Sequence, residues 1–432
     1  MKNFIIRLLI VRSVGKGAFG KVRIIQKKDD KKMYALKYIN KEKCIKMKAV
    51  DNIIQERILL ENLEHPFIVN MRYAFQDDEN MFMVIDLMLG GDLRYHLDRQ
   101  FNLPEKQVRF YAAEISEAIR YLHSNKVVHR DLKPDNLLLD ENGHVHITDF
   151  NIAVYLPTDD KLLKSVAGTM AYMAPEILEK KGYLQTVDWW SLGVLLFECV
   201  FGKRPFRGKT NDALIQSICE DNPHFPEPTP DLSGECIDFI KNLLIRNPVE
   251  RLGCRGAGFE EIKAHPWFQD LDWDLLVKKE LTAPFIPDQK RANFDATYEL
   301  EELLLEDNPL KAKKRQYKPG ETKLSKEMQI IEDKFTPFCT NATNGKKSKT
   351  AEAMLEILKE AEKLEKLREE NPNMIQAHLS QATKSEMSLN GPEGAADAKV
   401  DGELAPPLPA DTKLTSDQGL LIPPEKKNAK IQ

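Results

Sequence analysis

Apolar positions recur at two different spacings along this chain, and the change from one to the other divides it. Up to residue 87, short runs rich in Ile, Val, Tyr and Met stand between polar and glycine residues, at 4–10, 22–25, 33–39 and 81–85. Runs of that length and composition predict β-strands. Residues 52–60 break this pattern, with Ile53, Ile54, Ile58 and Leu60 at helical spacing and Glu56 between those stripes. From 105 to 123, Val108, Tyr111, Ala112, Ile115, Ile119 and Leu122 predict a long helix. Residues 187–197 are apolar on every face except at Asp188. A membrane span needs about 20 such residues without a charge, so a buried central helix is expected. Residues 350–370 predict a charged amphipathic helix with Thr350 as N-cap and Ile357, Ala361 and Leu364 on one stripe, too short for a coiled coil. Beyond Asn371, Pro, Ala, Gly and Lys with few aromatics predict disorder, and no internal repeat is visible.

Composition narrows what these elements serve. A chain of 432 residues exceeds one average domain, which predicts a two-lobed unit with appended segments. The 42% hydrophobic and 30% charged fractions suit a globular protein in water, and a net charge of −4 argues against general affinity for nucleic acid. Cys44, Cys199, Cys219, Cys236, Cys254 and Cys339 form no C-x-x-C pair, which argues against zinc or a disulfide framework and for the cytoplasm, with the nucleus as a second compartment. Arg7 interrupts the apolar start and no small-residue cleavage site follows, so a strand is expected there and not a signal peptide. Lys2 stands where N-myristoylation requires glycine. The cluster Lys311-Ala312-Lys313-Lys314-Arg315 reads as a solvated linker, with a nuclear import signal or a contact to an acidic surface as alternatives. The sequon Asn341-Ala342-Thr343 is expected to stay unused in such a compartment.

Three stretches carry chemistry. In His129-Arg130-Asp131-Leu132-Lys133-Pro134-Asp135-Asn136 and Asp149-Phe150-Asn151, Asp131 is placed to take a proton from a hydroxyl nucleophile, and Asn136 with Asp149 offers hard oxygen ligands to magnesium. Val14-Gly15-Lys16-Gly17-Ala18-Phe19-Gly20-Lys21-Val22 is a glycine-rich turn followed by β-rich sequence, where a dinucleotide site would need a helix; a Walker A loop fails at Val22, which has no hydroxyl for the metal. Three glycines in such a hairpin would let backbone N–H groups approach phosphate oxygens, with Phe19 excluding water at the tip. Lys37 is the one cation in the apolar run 33–39, and Glu56 is the candidate partner.

The pattern H-R-D-L-K-P-x-N plus D-F-x resembles the catalytic and metal-binding segments of eukaryotic protein kinases. The resemblance implies an α+β, bilobal fold: a small, mostly antiparallel β lobe plus one helix, and a large, mainly helical lobe. It implies ATP and Mg2+ as cofactors, with the hairpin 14–22 over the phosphates, Ala35 leaving room for adenine, and Lys37, paired with Glu56, on the α and β phosphates. Ile85 would border the adenine pocket and the backbone of Asp86 and Met88 would bond the purine. Asp92 would lie near the ribose or a basic substrate side chain, and Leu138 in the floor. Asp131 would be the base, Lys133 would neutralise the transferring phosphoryl group, and Thr169 would steady both. The D-L-K-P-x-N form is that of serine/threonine kinases.

Further positions follow the same resemblance. Asp188 would accept backbone N–H bonds from the catalytic loop, Glu176 would pair with Arg251, and a regulatory phosphate on Ser165 would face Arg130. Asn151 stands where the family has glycine; the left-handed region costs ordinary residues roughly 1–2 kcal/mol and asparagine less, so the turn is expected to form there, with less freedom to flip. The D-W-W-S-L-G-V and A-G-T…A-P-E forms resemble the AGC group and, with H-V-H-I-T-D-F-N-I-A, its YANK branch. Such kinases favour basic residues before the phosphosite, which Asp92 and Asp135 could receive, but Gln216 occupies a third acidic position. Residues 271–295 resemble the AGC tail, with 283–287 crossing on the hinge side, and Phe335-Thr336-Pro337-Phe338 its hydrophobic motif, both rings filling a groove beside the Glu56 helix. Cys339 replaces the usual phosphorylatable residue. The expected division is 1–87 small lobe, 88–268 large lobe, 269–340 tail, and 341–432 largely disordered around one helix. The function implied is transfer of the ATP γ-phosphate to Ser or Thr of protein substrates by a monomer with no nucleic-acid partner and no membrane insertion. The alternative is a nucleotide-binding pseudokinase or scaffold, motivated by Asn151 and the long tail. A small-molecule or lipid kinase would have no use for Ala174-Pro175-Glu176.

Overall fold

Strand-forming runs and helical stripes separate into two layers of different character in the computed structural model, which describes residues 8–16, 20–158, 162–226, 231–288, 293 and 324–339, with backbone alone for 10–16. All of these belong to one of the two units into which the chain divides, residues 1–372. The first part contains β1 (Leu8–Lys16), β2 (Gly20–Lys27), β3 (Met33–Asn40), α1 (Lys41–Lys46), α2 (Val50–Asn62), β4 (Met71–Gln76) and β5 (Asn80–Ile85). α1 is a helix more than the one expected. It leaves β3 directly because Asn40 accepts a hydrogen bond from the Lys43 N–H at 3.0 Å and so caps it.

The second part is mainly helical: α3 (Leu93–Gln100), α4 (Glu105–Ser124), β6 (Val127–Val128), β7 (Leu137–Leu139), β8 (Val145–Ile147), β9 (Val154–Tyr155), α5 (Pro175–Leu178), α6 (Val187–Phe201), α7 (Asn211–Glu220), α8 (Gly234–Leu243), α9 (Phe259–Lys263) and α10 (Trp273–Val277). The chain then returns as α11 (Lys326–Lys334) and β10 (Phe338–Cys339). The main sheet runs β1-β2-β3-β5-β4-β10, every pair antiparallel, so the last strand comes from far along the sequence.

α6 is buried from Val187 to Val200, as its unbroken apolar character requires. α8 packs so close that a Cβ on Gly193 would lie 2.9 Å from Leu243 Cβ, which explains the glycine inside a helix. No helix among the described residues is long and apolar enough to cross a membrane. The segments 311–315, 341–343 and 350–370 and everything beyond Asn371 lie outside the described residues.

Candidate active site

One wall of the site is the face of the sheet. Val22 lies opposite Lys37 and Ile24 opposite Ala35 in β2–β3, while Lys37 lies opposite Met83 and Ala35 opposite Ile85 in β3–β5. The backbone pairs Gly15 with Val22 and Lys16 with Lys21, so residues 14–16 and 20–22 form the arms of a hairpin; Gly17, Ala18 and Phe19 at its tip lie outside the described residues. A Cβ on Gly20 would fall 1.8 Å from Tyr38 O. This glycine is thus required by the neighbouring strand, a reason different from phosphate approach. Lys37 Nζ donates to both Glu56 oxygens, at 2.7 and 3.0 Å. Burial works against the Lys37 charge, but Glu56 outweighs it and Asp149 adds to the effect, so its pKa is raised. Asp149 therefore acts in the same cleft as Lys37.

At the hinge, Arg72 Nε and Nη2 grip the Asp86 carboxylate at 2.6 and 2.8 Å, and Asn70 Nδ2 donates to it at 3.1 Å. The Asp86 N–H donates to Asn70 O at 3.0 Å, which takes it from the donors available to a purine. No hydrogen bond engages Met88 among the described residues. Asp92 accepts from the Tyr95 N–H at 2.7 Å, capping α3, and bridges Leu138. Asn293 Nδ2 donates to Leu89 O at 3.0 Å, and a Cβ on Gly91 would collide with the Asn293 backbone, so the tail passes against the hinge.

The opposite wall is the catalytic loop, held from below by Asp188. Its carboxylate accepts from the His129 and Arg130 N–H groups, each at 2.9 Å, with His123 Nε2 at 2.9 Å. Asp131 is surrounded: Thr169 N–H and Oγ1 donate to Oδ1 at 2.9 and 2.7 Å, Asn136 Nδ2 donates to Oδ2 at 2.9 Å, and Lys133 Nζ stands 3.2 Å from Oδ2. Lys133 Nζ also donates to Thr169 Oγ1 at 2.7 Å. Burial would raise the Asp131 carboxyl, but Lys133 and the Thr169 hydrogen bond outweigh it and hold its pKa below the ordinary value. Lys133 in turn feels the charge of Asp149 as well as that of Asp131, which joins this wall to the Lys37 wall.

Asn136 spends its amide nitrogen twice on Asp131, on the carboxylate and on the carbonyl at 2.8 Å, leaving its oxygen as the end for a cation. Among the described residues no three His, Cys, Asp or Glu converge. A pair of oxygen donors completed by phosphate and water suits magnesium, which keeps several waters and takes few protein ligands. The left-handed residue of this segment is Asp149, at φ 63°, and Asn151 is not among the described residues with positive φ. The expected cost at position 151 is therefore absent. Asn151 instead turns its Nδ2 onto Asp149 Oδ1, while its own Oδ1 is buried without a partner.

Residues 8–268 match the protein kinase domain. The chain belongs to the protein kinase family. It is similar to human serine/threonine-protein kinase 32B, 44% identical over 317 residues covering 71% of this chain and 74% of that protein. Human serine/threonine-protein kinase 32C is 42% identical over 339 residues, covering 77% and 69%, and sgk-1 of Caenorhabditis elegans 41% over 281 residues, covering 65% and 60%. This kinase is of the serine/threonine class and the AGC group and resembles the YANK branch.

Around the kinase cleft, Arg251 Nη1 and Nη2 meet the Glu176 oxygens at 2.8 and 3.0 Å, and Arg130 Nη1 donates to Ser165 Oγ at 2.8 Å. Of the two tail rings, Phe335 is fully buried and Phe338 partly buried, on a strand that pairs with β4 opposite Ala74. Both rings pack against the same apolar core, which includes Ile53 and Ile54 of α2. Sequence reasoning missed Arg57, which donates to Thr336 O at 3.0 Å, and Lys41, whose Nζ donates to Glu332 Oε1 at 2.9 Å. The first had a signal: Arg57 falls on the apolar stripe of Ile53 and Leu60. The second had none, since Lys41 is one of several lysines beside it.

Proposed function

We propose that this serine/threonine kinase transfers the γ-phosphate of ATP to Ser or Thr side chains of proteins with Asp131 as the base. What carries this is the Asp131 carboxylate, held ionised between Lys133, Thr169 and Asn136 in the cleft that also contains Lys37. Lys37, fixed by Glu56, binds the α and β phosphates, and the Met88 backbone with the Asp86 carbonyl orients the purine beside Ala35. Magnesium bound by Asn136 and Asp149 would offset the charge of the phosphates. Asp131 orients the acceptor hydroxyl and takes its proton, while Lys133 faces the charge that develops on the phosphoryl oxygens. Ser165, against Arg130, is the regulatory position. The kinase is a monomer in this reading, and its six free thiols suit the cytoplasm.

The test uses radiolabelled ATP and a generic basic protein. Asp131→Asn is expected to lose roughly 10²–10⁴-fold in labelling, the usual contribution of a general base, while retaining nucleotide affinity. Tight ATP binding by the unaltered chain without any label would instead mark a scaffold.

A further inference from the structure

Next to the catalytic loop, a cation of the protein already sits where an acidic cluster would otherwise meet a substrate. Arg94, in the first turn of α3, donates from Nη2 to Glu198 Oε1 and to Tyr172 OH, each at 3.0 Å. The Tyr172 hydroxyl closes the triangle by donating to the other Glu198 oxygen. Arg94 Nε lies 3.7 Å from Asp135 Oδ2 and Nη1 lies 3.6 Å from Asp98 Oδ1. A cavity of about 360 Å³ opens beside it, lined by Arg94, Leu97, Asp98, Phe101, Glu198 and Gly202.

These groups lie within reach of a bound peptide. Asp135 is four residues from Asp131, at most about 15 Å by chain length, and Tyr172 is three residues from Thr169, which bonds Asp131. A side chain two or three residues from the accepting hydroxyl spans that distance. We infer that Arg94 is a specificity-determining residue: it occupies Glu198 and partly neutralises Asp135, so that this kinase does not select a basic residue at the substrate position facing Asp135. An incoming arginine would have to expel an equivalent guanidinium that is tethered to the protein and so always present. What stays open to it is Asp135 and Asp98, 51% and 63% exposed, whose attraction is that of screened surface charges. The neighbouring cavity, whose lining includes Leu97 and Phe101 but not Asp135, favours an apolar side chain from an adjacent substrate position, so the substrate class is Ser or Thr segments with an apolar residue beside that position.

This inference rests on peptide phosphorylation by Asp131. The experiment measures kcat/KM of the full chain for peptide sets carrying Arg, Leu or Ala at each position flanking the serine. In the unaltered chain the Arg-to-Ala ratio stays within about threefold everywhere, and Leu exceeds both at one position. In Arg94→Met the Arg-to-Ala ratio at the position facing Asp135 rises to tenfold or more, through KM, and the gain disappears in Arg94→Met with Asp135→Asn. A structural role alone would lower all peptides together and leave the ratios flat. If Arg94→Met fails to fold because Glu198 is left buried without a counter-charge, Arg94→Met with Glu198→Gln removes both charges and keeps Asp135, and a smaller gain of more than threefold, through Asp135 alone, is expected. Flat ratios in the folded variants, or a basic preference above tenfold in the unaltered chain, overturn the inference. Absence of Asp131-dependent label from every peptide overturns the phosphotransfer role itself, a distinct result.

Discussion

A buried carboxylate keeps its charge only where cations and donors outweigh the water it has lost, and for Asp131 the largest opposing contribution is Lys133, ahead of the Thr169 hydrogen bond. Activity that needs ionised Asp131 is lost as pH falls through its lowered pKa. With Lys133 replaced by methionine, burial remains and the main opposing charge is gone, so the pKa rises. The acid limb of the kcat/KM profile is expected to move to higher pH, measured beside the drop in rate. Asn151 makes a second residue-scale case. Its Nδ2 competes with any cation for Asp149 Oδ1. Releasing one hydrogen bond of net worth about 0.5–1.5 kcal/mol, Asn151→Ala is expected to lower the half-saturating Mg2+ concentration by roughly 2–10-fold in a magnesium titration of initial rates. The sequence marked position 151 as unusual, but the backbone angle that decides its cost is set by how the whole turn packs, and no local pattern reports that.

At the scale of elements, α11 and β10 hold α2 from outside. Phe335 is buried with the Arg57 guanidinium 6.0 Å from its ring centre, Arg57 holds the next carbonyl, and fully buried Lys41 meets Glu332. Because Glu56 lies on α2 beside Arg57, docking of the tail bears on the Lys37 contact. Phe335→Ala removes roughly 3–5 kcal/mol of the packing that offsets the cost of ordering the segment, about 1–2 kcal/mol per residue. The expected outcome is faster hydrogen exchange in 324–339 and α2 together with lower activity, while exchange in α6 stays unchanged. Long elements such as α2, α4 and α6 were legible because several apolar residues repeat in each. α1 and β10 were not: six and two residues are too few for a period, and β10 exists only because β4 offers an edge far away in sequence. The two phenylalanines were legible as a pair, but that the second sits on a strand added to β4 was not.

Over the whole molecule, the large lobe carries charge in its interior, and one such group sets a pH dependence. Glu114 of α4 is fully buried; His144 Nδ1 lies 2.6 Å from Oε1 and the Val145 N–H donates to Oε2 at 2.8 Å, tying the helix to the β7–β8 hairpin under the cleft. Burial pushes its carboxyl up to about 7, against the pull of His144. Below the unfolded value of about 4.3 both states hold the proton and the contribution to stability is complete. As pH rises toward 7 the unfolded chain releases its proton first, so the folded state loses ground, and above about 7 the difference is constant. The loss amounts to roughly 4 kcal/mol at most, a few degrees in Tm per kcal/mol for a protein of this size. Glu114→Gln keeps the shape and cannot ionise, so its Tm is expected to gain steadily on that of the unaltered chain between pH 5 and pH 7 and to run parallel above that. A constant difference across the window would mean that Glu114 stays ionised when buried. The same measurement therefore decides which of two arrangements supports the floor of the cleft.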